Sequence, residues 1–431
     1  MDALRVRVYN VLFGDAILIS VPDAPPGGSP VLRHILIDVG NYAVNTGGGL
    51  DEVFEPVMQD LLEELGGKGL DLYIMTHEHM DHVQGLLHYQ KNVLNNQPLK
   101  DLLKVQYAWL TRSAHPGYYT PGTPDYHPEA KKNVDMIRTF LDQAKQYFQA
   151  APGEENDWIR GLMAINDPRQ TADCVDLIRG LAPANNTHYV YRGFDVKDKH
   201  PFEEATFEIW APEEDTSIYY GRFQPVAFGA ARGHTARAKP VVTPVEPPRG
   251  VDAGAFYNLV DHRRWGYGDN LLAIDSAANN TSIVLCLNWR GWQLLFPGDA
   301  EQRSWKEMDK RGLLKPVDFF KISHHGSVTG MLPERRVDNV SRKLVDMVLE
   351  KKPGTRRYAA LSAYPDLDKP IVDKPKEGEQ GWTYDDVPRQ DVLDELAEYA
   401  DLRQTVEAPP GGYIEYAFEG GTSNVTITTS T

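Results

Sequence analysis

The chain has 431 residues, with 45 basic and 61 acidic side chains and a formal net charge of −16. Its 41% hydrophobic and 25% charged residues are the balance of a globular protein, and no apolar run approaches the ~20 residues of a membrane helix. The acidic excess argues against a broad nucleic-acid surface, which needs a basic face. Two cysteines, Cys174 and Cys286, make no disulfide framework, so the expected location is cytoplasmic.

Residues 4–10 alternate as a strand and lack the apolar centre of a signal peptide. A second strand, 16–21, follows Gly14-Asp15, and a third runs from Val31 to Asp38. Asp38 ends its strand close enough in the chain to orient a neighbouring ligand, or else caps the following turn. Helical spacing covers Glu52 to Leu65 and stops at Gly66-Gly67.

The apolar run Leu70 to Met75 reads as a buried strand and delivers Thr76-His77-Glu78-His79-Met80-Asp81-His82. Three imidazoles and two carboxylates within six positions are costly to desolvate without a partner. A cation supplies one, since His and Asp are ligands for zinc, and for manganese or iron where oxygen dominates. The spacing allows His77 and His79 to face one ion while Asp81 and His82 face a second. A helix is expected over 83–94, then a strand over 105–110 that leads to His115, which reads by itself as a surface-loop histidine.

Helices are predicted over 128–149 and 158–181, and a strand over 205–212. Residues 221–270 are irregular, and 221–265 hold seven basic against three acidic side chains. This stretch is either an arm that meets an anionic substrate or a solvated loop. Segments 279–287 and 292–296 form a hairpin about Arg290-Gly291 and deliver Pro297-Gly298-Asp299, a carboxylate on a sharp turn suited to bridge two cations. After a helix over 300–311, a strand over 317–322 runs into Ser323-His324-His325-Gly326-Ser327, and one of the paired histidines is expected as the last ligand. A helix over 334–349, a strand over 358–362, a polar loop over 365–388, a helix over 389–402 and a closing hairpin, 413–418 with 425–428, complete the chain. No repeat or low-complexity tract interrupts it.

Four segments in this order, Val11-Leu12-Phe13-Gly14-Asp15-Ala16, Thr76 to His82, Phe296 to Asp299 and Lys321 to Ser327, resemble the metallo-β-lactamase superfamily. Within it they are similar to soluble relatives of the hydrolase domain of the bacterial competence (DNA-uptake) channel protein. The resemblance implies an α/β fold: a four-layer αββα sandwich of two facing mixed sheets, one domain over 1–431 with insertions at about 115–204 (helical) and 221–270. It implies one ion on His77, His79 and a third ligand such as His115. The other would sit on Asp81, His82 and His324 or His325, with Asp299 bridging.

Asp15 and Asp38 would stand behind the ligands, and Lys321 and Ser327 are candidate anion contacts. Asp81 and the non-ligating member of His324 and His325 are candidate proton-handling groups. The function implied is a hydrolase with a metal-bound hydroxide and two divalent ions, Zn2+ or Mn2+. A phosphodiesterase or nuclease is expected, acting on an anionic phosphodiester such as a short nucleic acid or nucleotide, with no membrane partner. The alternatives are hydrolysis of a carboxylic ester, thioester or lactam, and a degenerate metal-binding interaction module.

Overall fold

A computed structural model describes residues 3–25, 27–42, 49–150, 163–220, 271–331, 334–337, 340–362, 388 and 390–431. The basic stretch 221–265 and the polar loop 365–387 lie outside them.

The first sheet is built from β1 (Ala3–Tyr9), β2 (Ala16–Asp23), β3 (Val31–Val39), β4 (Leu70–Met75), β5 (Val105–Thr111), β6 (Thr187–Val190), β15 (Tyr413–Glu419) and β16 (Val425–Thr429). Their spatial order is β16-β15-β1-β2-β3-β4-β5-β6. The second sheet holds β7 (Ala205–Ala211), β8 (Val284–Trp289), β9 (Trp292–Phe296), β10 (Phe319–Lys321), β13 (Tyr358–Leu361) and β14 (Asp401–Gln404). Its order is β14-β13-β10-β9-β8-β7. A separate ribbon pairs β11 (Glu334–Val337) with β12 (Val340–Lys343).

Alternation along the strands decides how these sheets stack. One set of side chains, including Val6, Ile19, Ile37 and Ile74 from the first sheet and Leu285, Leu294, Phe319 and Tyr358 from the second, forms a shared buried core. The other set on the first sheet, including Leu18, Leu36 and Tyr73, packs on the helices Asp51–Leu65, Met80–His88 and Ala172–Arg179. The outer side of the second sheet, with Cys286, Leu295 and Phe320, meets the helices Gln302–Lys310, Val345–Val348 and Gln390–Ala397. The result is a helix–sheet–sheet–helix stack. Tyr416 ties the layers by donating to the Ala359 carbonyl at 2.9 Å from a fully buried ring. Among the described residues no helix is long and apolar enough to cross a membrane, and Cys174 and Cys286 are free and buried.

Three elements depart from the expected pattern. The 334–349 stretch, expected to be helical, is the β11–β12 ribbon followed by one short helix, Val345–Val348. The last helix stops at Ala397, and Asp401–Gln404 instead pairs in parallel with β13. Thr187–Val190 lies in the stretch expected to be helical yet extends the first sheet beside β5. Four-residue strands carry too little periodicity to announce themselves, and their neighbours decide them.

Candidate metal centre

The site lies at the C-terminal ends of parallel strands from both sheets, where loops leave the sheet and side chains converge. β3 and β4 run parallel in register Ile37 opposite Ile74, so Asp38 and Thr76 emerge side by side. β9 and β10 are parallel in the other sheet and release Asp299 and the paired histidines. The helix begins at Met80, earlier than expected, with His79 as its N-cap. Asp81 thus occupies the first turn, where the positive end of the helix favours a carboxylate.

Close approach of the loops depends on glycine. A Cβ on Gly14, whose φ is +144°, would lie 2.6 Å from the Asp81 carbonyl oxygen, and one on Gly298 (φ +55°) 2.9 Å from the Thr76 Cβ. Backbone strain gathers at the same place. Asp38, His324 and His325 all take left-handed φ values, +52°, +46° and +48°. Non-glycine residues rarely hold that conformation unless the surroundings over-determine it.

Four residues from three separate segments meet there. Ligand atoms of Asp81, His82, Asp299 and His325 all lie within 4.8 Å of one another, and all four residues are buried. His325 Nε2 is 3.1 Å from Asp81 Oδ2 and 3.4 Å from Asp299 Oδ2. His82 Nε2 is 3.2 Å from Asp299 Oδ2. The His77 ring stands 4.1 Å from that of His82 and 4.7 Å from that of His79, centre to centre. Paired histidines left the last ligand open in the sequence, and here it is His325 that faces the cage.

The surrounding hydrogen bonds fix which nitrogen each ring presents. Asp38 Oδ2 sits 2.8 Å from His82 Nδ1 and also accepts from Thr76 Oγ1, while its Oδ1 accepts from the Thr76 amide. The Ser362 carbonyl accepts from His325 Nδ1 at 2.7 Å. Both rings therefore turn Nε2 inward, the arrangement that a second layer of acceptors gives to metal-binding histidines. Asp15 holds this layer together. Its amide donates to the Asp81 carbonyl, and its carboxylate accepts from Ser362 Oγ and pairs with Lys321 Nζ at 2.8 Å.

The electrostatics show what the cage lacks. Burial pushes the Asp81 carboxyl up, but His82 and His325 outweigh it and hold it below the usual carboxylate range. Asp299 is held down in the same way by His325 and His82. Burial lowers His325, yet Asp299 and Asp81 bring it up to about 10, and His82 is likewise raised by Asp299 and Asp81. His77 goes the other way, pushed down by burial and by the neighbouring His82 and His79. Protons are thus held where positive charge is wanted.

A cation fits this set better. His77 Nε2, His79 Nε2, Asp81 Oδ1 and Asp299 Oδ1 are buried without a hydrogen-bond partner, and unpartnered buried polar atoms are rare in folded proteins. Mixed imidazole and carboxylate donors suit zinc, manganese or iron. The described residues here are therefore a group that could hold a metal ion.

Other residues singled out in the sequence lie elsewhere. His115 turns away: its Nδ1 accepts from the Gly117 amide, its Nε2 is 3.5 Å from Asp125, and its ring packs on Tyr189. Lys321, expected to contact an anion, is fully buried and committed to Asp15 and the Ile322 carbonyl. Ser327 Oγ accepts from the Thr329 amide and caps the turn that follows. His324 points away from the cage toward Glu301 and Asn279.

Thr76 and Ser362 were missed. Thr76 adjoins His77 at a strand end, and that was the available signal; Ser362 also stands at a strand end, but the sequence puts no ligand near it. Compared with protein-family models and with curated proteins, the chain matches none.

Proposed function

We propose that the chain is a metal-dependent hydrolase of the metallo-β-lactamase superfamily, with that superfamily's αββα fold, and that it cleaves phosphodiesters. The observation that carries the reading is the convergence of Asp81, His82, Asp299 and His325 from three separated segments into one buried group. His77 and His79 extend it with unpartnered Nε2 atoms. The layered arrangement of two sheets and outer helices supports the same family reading, as do the four motif segments.

His77 and His79 would hold one divalent ion and Asp81, His82 and His325 a second, with Asp299 between. When bound, such ions supply Lewis acidity, bringing the pKa of water near neutrality and neutralising charge on the attacked group. The chain's own residues do the rest. Asp38 and the Ser362 carbonyl lock the His82 and His325 tautomers. Asp81 and Asp299 each keep one free carboxylate oxygen inside the cage. Either oxygen accepts a hydrogen bond from a water molecule and so aims its lone pair. Asp15, through Ser362 and the Asp81 carbonyl, keeps both sheets in register at the site.

Phosphodiesters are preferred because a pair of cations suits charge spread over phosphoryl oxygens, and because the segments resemble the competence-protein branch. The acidic net charge of −16 favours short strands, nucleotides or a small phosphodiester over long duplexes. The test is cleavage of bis-p-nitrophenyl phosphate and labelled single-stranded DNA by zinc- or manganese-loaded protein, beside a chromogenic carboxylic ester. The reading expects phosphodiester turnover that is lost with chelator and in Asp299→Ala. Turnover of the ester alone would overturn the substrate class, and turnover of none at full metal occupancy would overturn the enzyme.

A further inference from the structure

Asp275, Glu301 and His324 form a second group whose ligand atoms all lie within 4.8 Å of one another. They come from the helical segment 271–279, from the residue that opens the helix Gln302–Lys310, and from the turn after β10. Asp275 and Glu301 are buried, and His324 nearly so.

Each carboxylate has one oxygen tied down. Asp275 Oδ1 accepts from Asn166 Nδ2 at 2.9 Å, and Glu301 Oε2 accepts from Ser276 Oγ at 2.5 Å. The other two oxygens turn to a common point, where Asn279 Nδ2 lies 3.1 Å from Asp275 Oδ2 and 3.0 Å from Glu301 Oε1. His324 Nε2 is 3.3 Å from the same nitrogen. Two carboxylate oxygens and an imidazole nitrogen thus surround one amide nitrogen that carries two hydrogens, and His324 Nδ1 lies 3.3 Å from Glu301 Oε1.

The Oδ1 of Asn279 is buried and has no hydrogen-bond partner. A half-turn of the amide gives up its two hydrogen bonds to Asp275 and Glu301 and is favoured only with a cation at the common point to replace them. With the oxygen inward, the point is lined by three oxygens and one imidazole nitrogen, beside two carboxylates. That is a hard, oxygen-rich donor set, suited to Mn2+ or Mg2+. The group also abuts the cage, because His324 and the cage ligand His325 are consecutive residues of the same turn.

We propose that Asp275, Glu301, His324 and the turned amide of Asn279 form an additional divalent-cation site beside the cage. It does not rest on hydrolysis by the cage. The test uses the full chain, stripped of metal and reloaded with Mn2+, with bound ions counted by elemental analysis after desalting. Crystals of the same protein supply the manganese anomalous signal.

The Asp275→Asn, Glu301→Gln double variant should hold one ion fewer than the wild type, and Asp299→Ala should keep an ion that the combined triple variant loses. The wild-type anomalous map should show a peak bonded to Asp275 and Glu301, a readout that no variant's folding affects. An unchanged count in a double variant of native circular dichroism overturns the site. So does a map with peaks in the cage only, or an Asp275 ion bonded to His77 and His79 in place of Glu301 and His324. Failure of the cage reading looks different: the peak at Asp275 and Glu301 would stand without peaks at His82 and His325.

Discussion

Two buried charged clusters stand side by side in this molecule and behave differently. Asp15 and Lys321 form a closed account of charge: an amine 2.8 Å from a carboxylate, with Ser362 and the Ile322 carbonyl taking the remaining hydrogen bonds. Lys321 pulls the Asp15 carboxyl below the usual range against the push of burial. The cage next to it is open. It has more charged groups, five of its buried polar atoms, His82 Nε2 among them, have no hydrogen-bond partner, and protonated histidines have to balance its carboxylates. A closed cluster holds the fold, whereas an open one is ready for something from outside.

The contrast breaks most visibly at Asp299. Asp299→Ala removes a carboxylate that lies within 3.4 Å of both His82 and His325, and should lower phosphodiester turnover by roughly 10²–10³-fold, the scale of losing a charge-stabilising group. The chain should stay folded by circular dichroism while the metal count drops. Lys321→Ala should do the opposite. Leaving Asp15 buried and unpaired costs about 3–5 kcal/mol, read by urea unfolding of the metal-free protein, and the Asp15→Asn, Lys321→Met pair should recover part of it. A Lys321→Ala protein as stable as the wild type would show that the pair is not a structural clamp.

Asp38→Asn sharpens the comparison, because Asp38 belongs to the frame but acts through a cage residue. Losing the acceptor that fixes His82 should weaken metal affinity by about 10–100-fold, measured by competition with a chromogenic chelator. Unfolding stability should change less than for Lys321→Ala.

The cage should also report pH with a definite sign. Asp81 and Asp299 are depressed in the folded protein, so their stabilising effect is present above about pH 4 and lost below it. His325 is raised to about 10, so its effect is complete below about pH 6.5 and lost as pH climbs toward that value. Metal-free protein should therefore melt highest between these limits. A divalent ion displaces the histidine protons, so the rise in Tm on adding zinc or manganese should grow from pH 6 to pH 8. A metal-induced shift independent of pH would contradict the protonated histidines of the metal-free protein. The smallest effect belongs to His115→Ala, which should leave metal content unchanged, since that ring is committed to Gly117 and Asp125.

What the sequence determined by itself is local. His77, His79, Asp81 and His82 fall within six residues after a buried strand, and the strand end alone brings them to one place. Long alternating or continuously apolar runs such as β1 to β5 and the closing hairpin were legible for the same reason. Short elements were not: β6, β14 and the β11–β12 ribbon exist because a neighbour offers backbone partners.

Only the tertiary structure decided between His324 and His325. The two share a pair of left-handed turns, and those dihedrals send one ring to Asp81 and the other to Glu301. Lys321 reads in sequence as a cation near a ligand, and becomes a buried clamp only because a loop more than 300 residues away, held by Gly14, places Asp15 against it. Ligand chemistry is written in side-chain types and spacing. Which atom faces inward is fixed by backbone angles and by contacts that sequence distance hides.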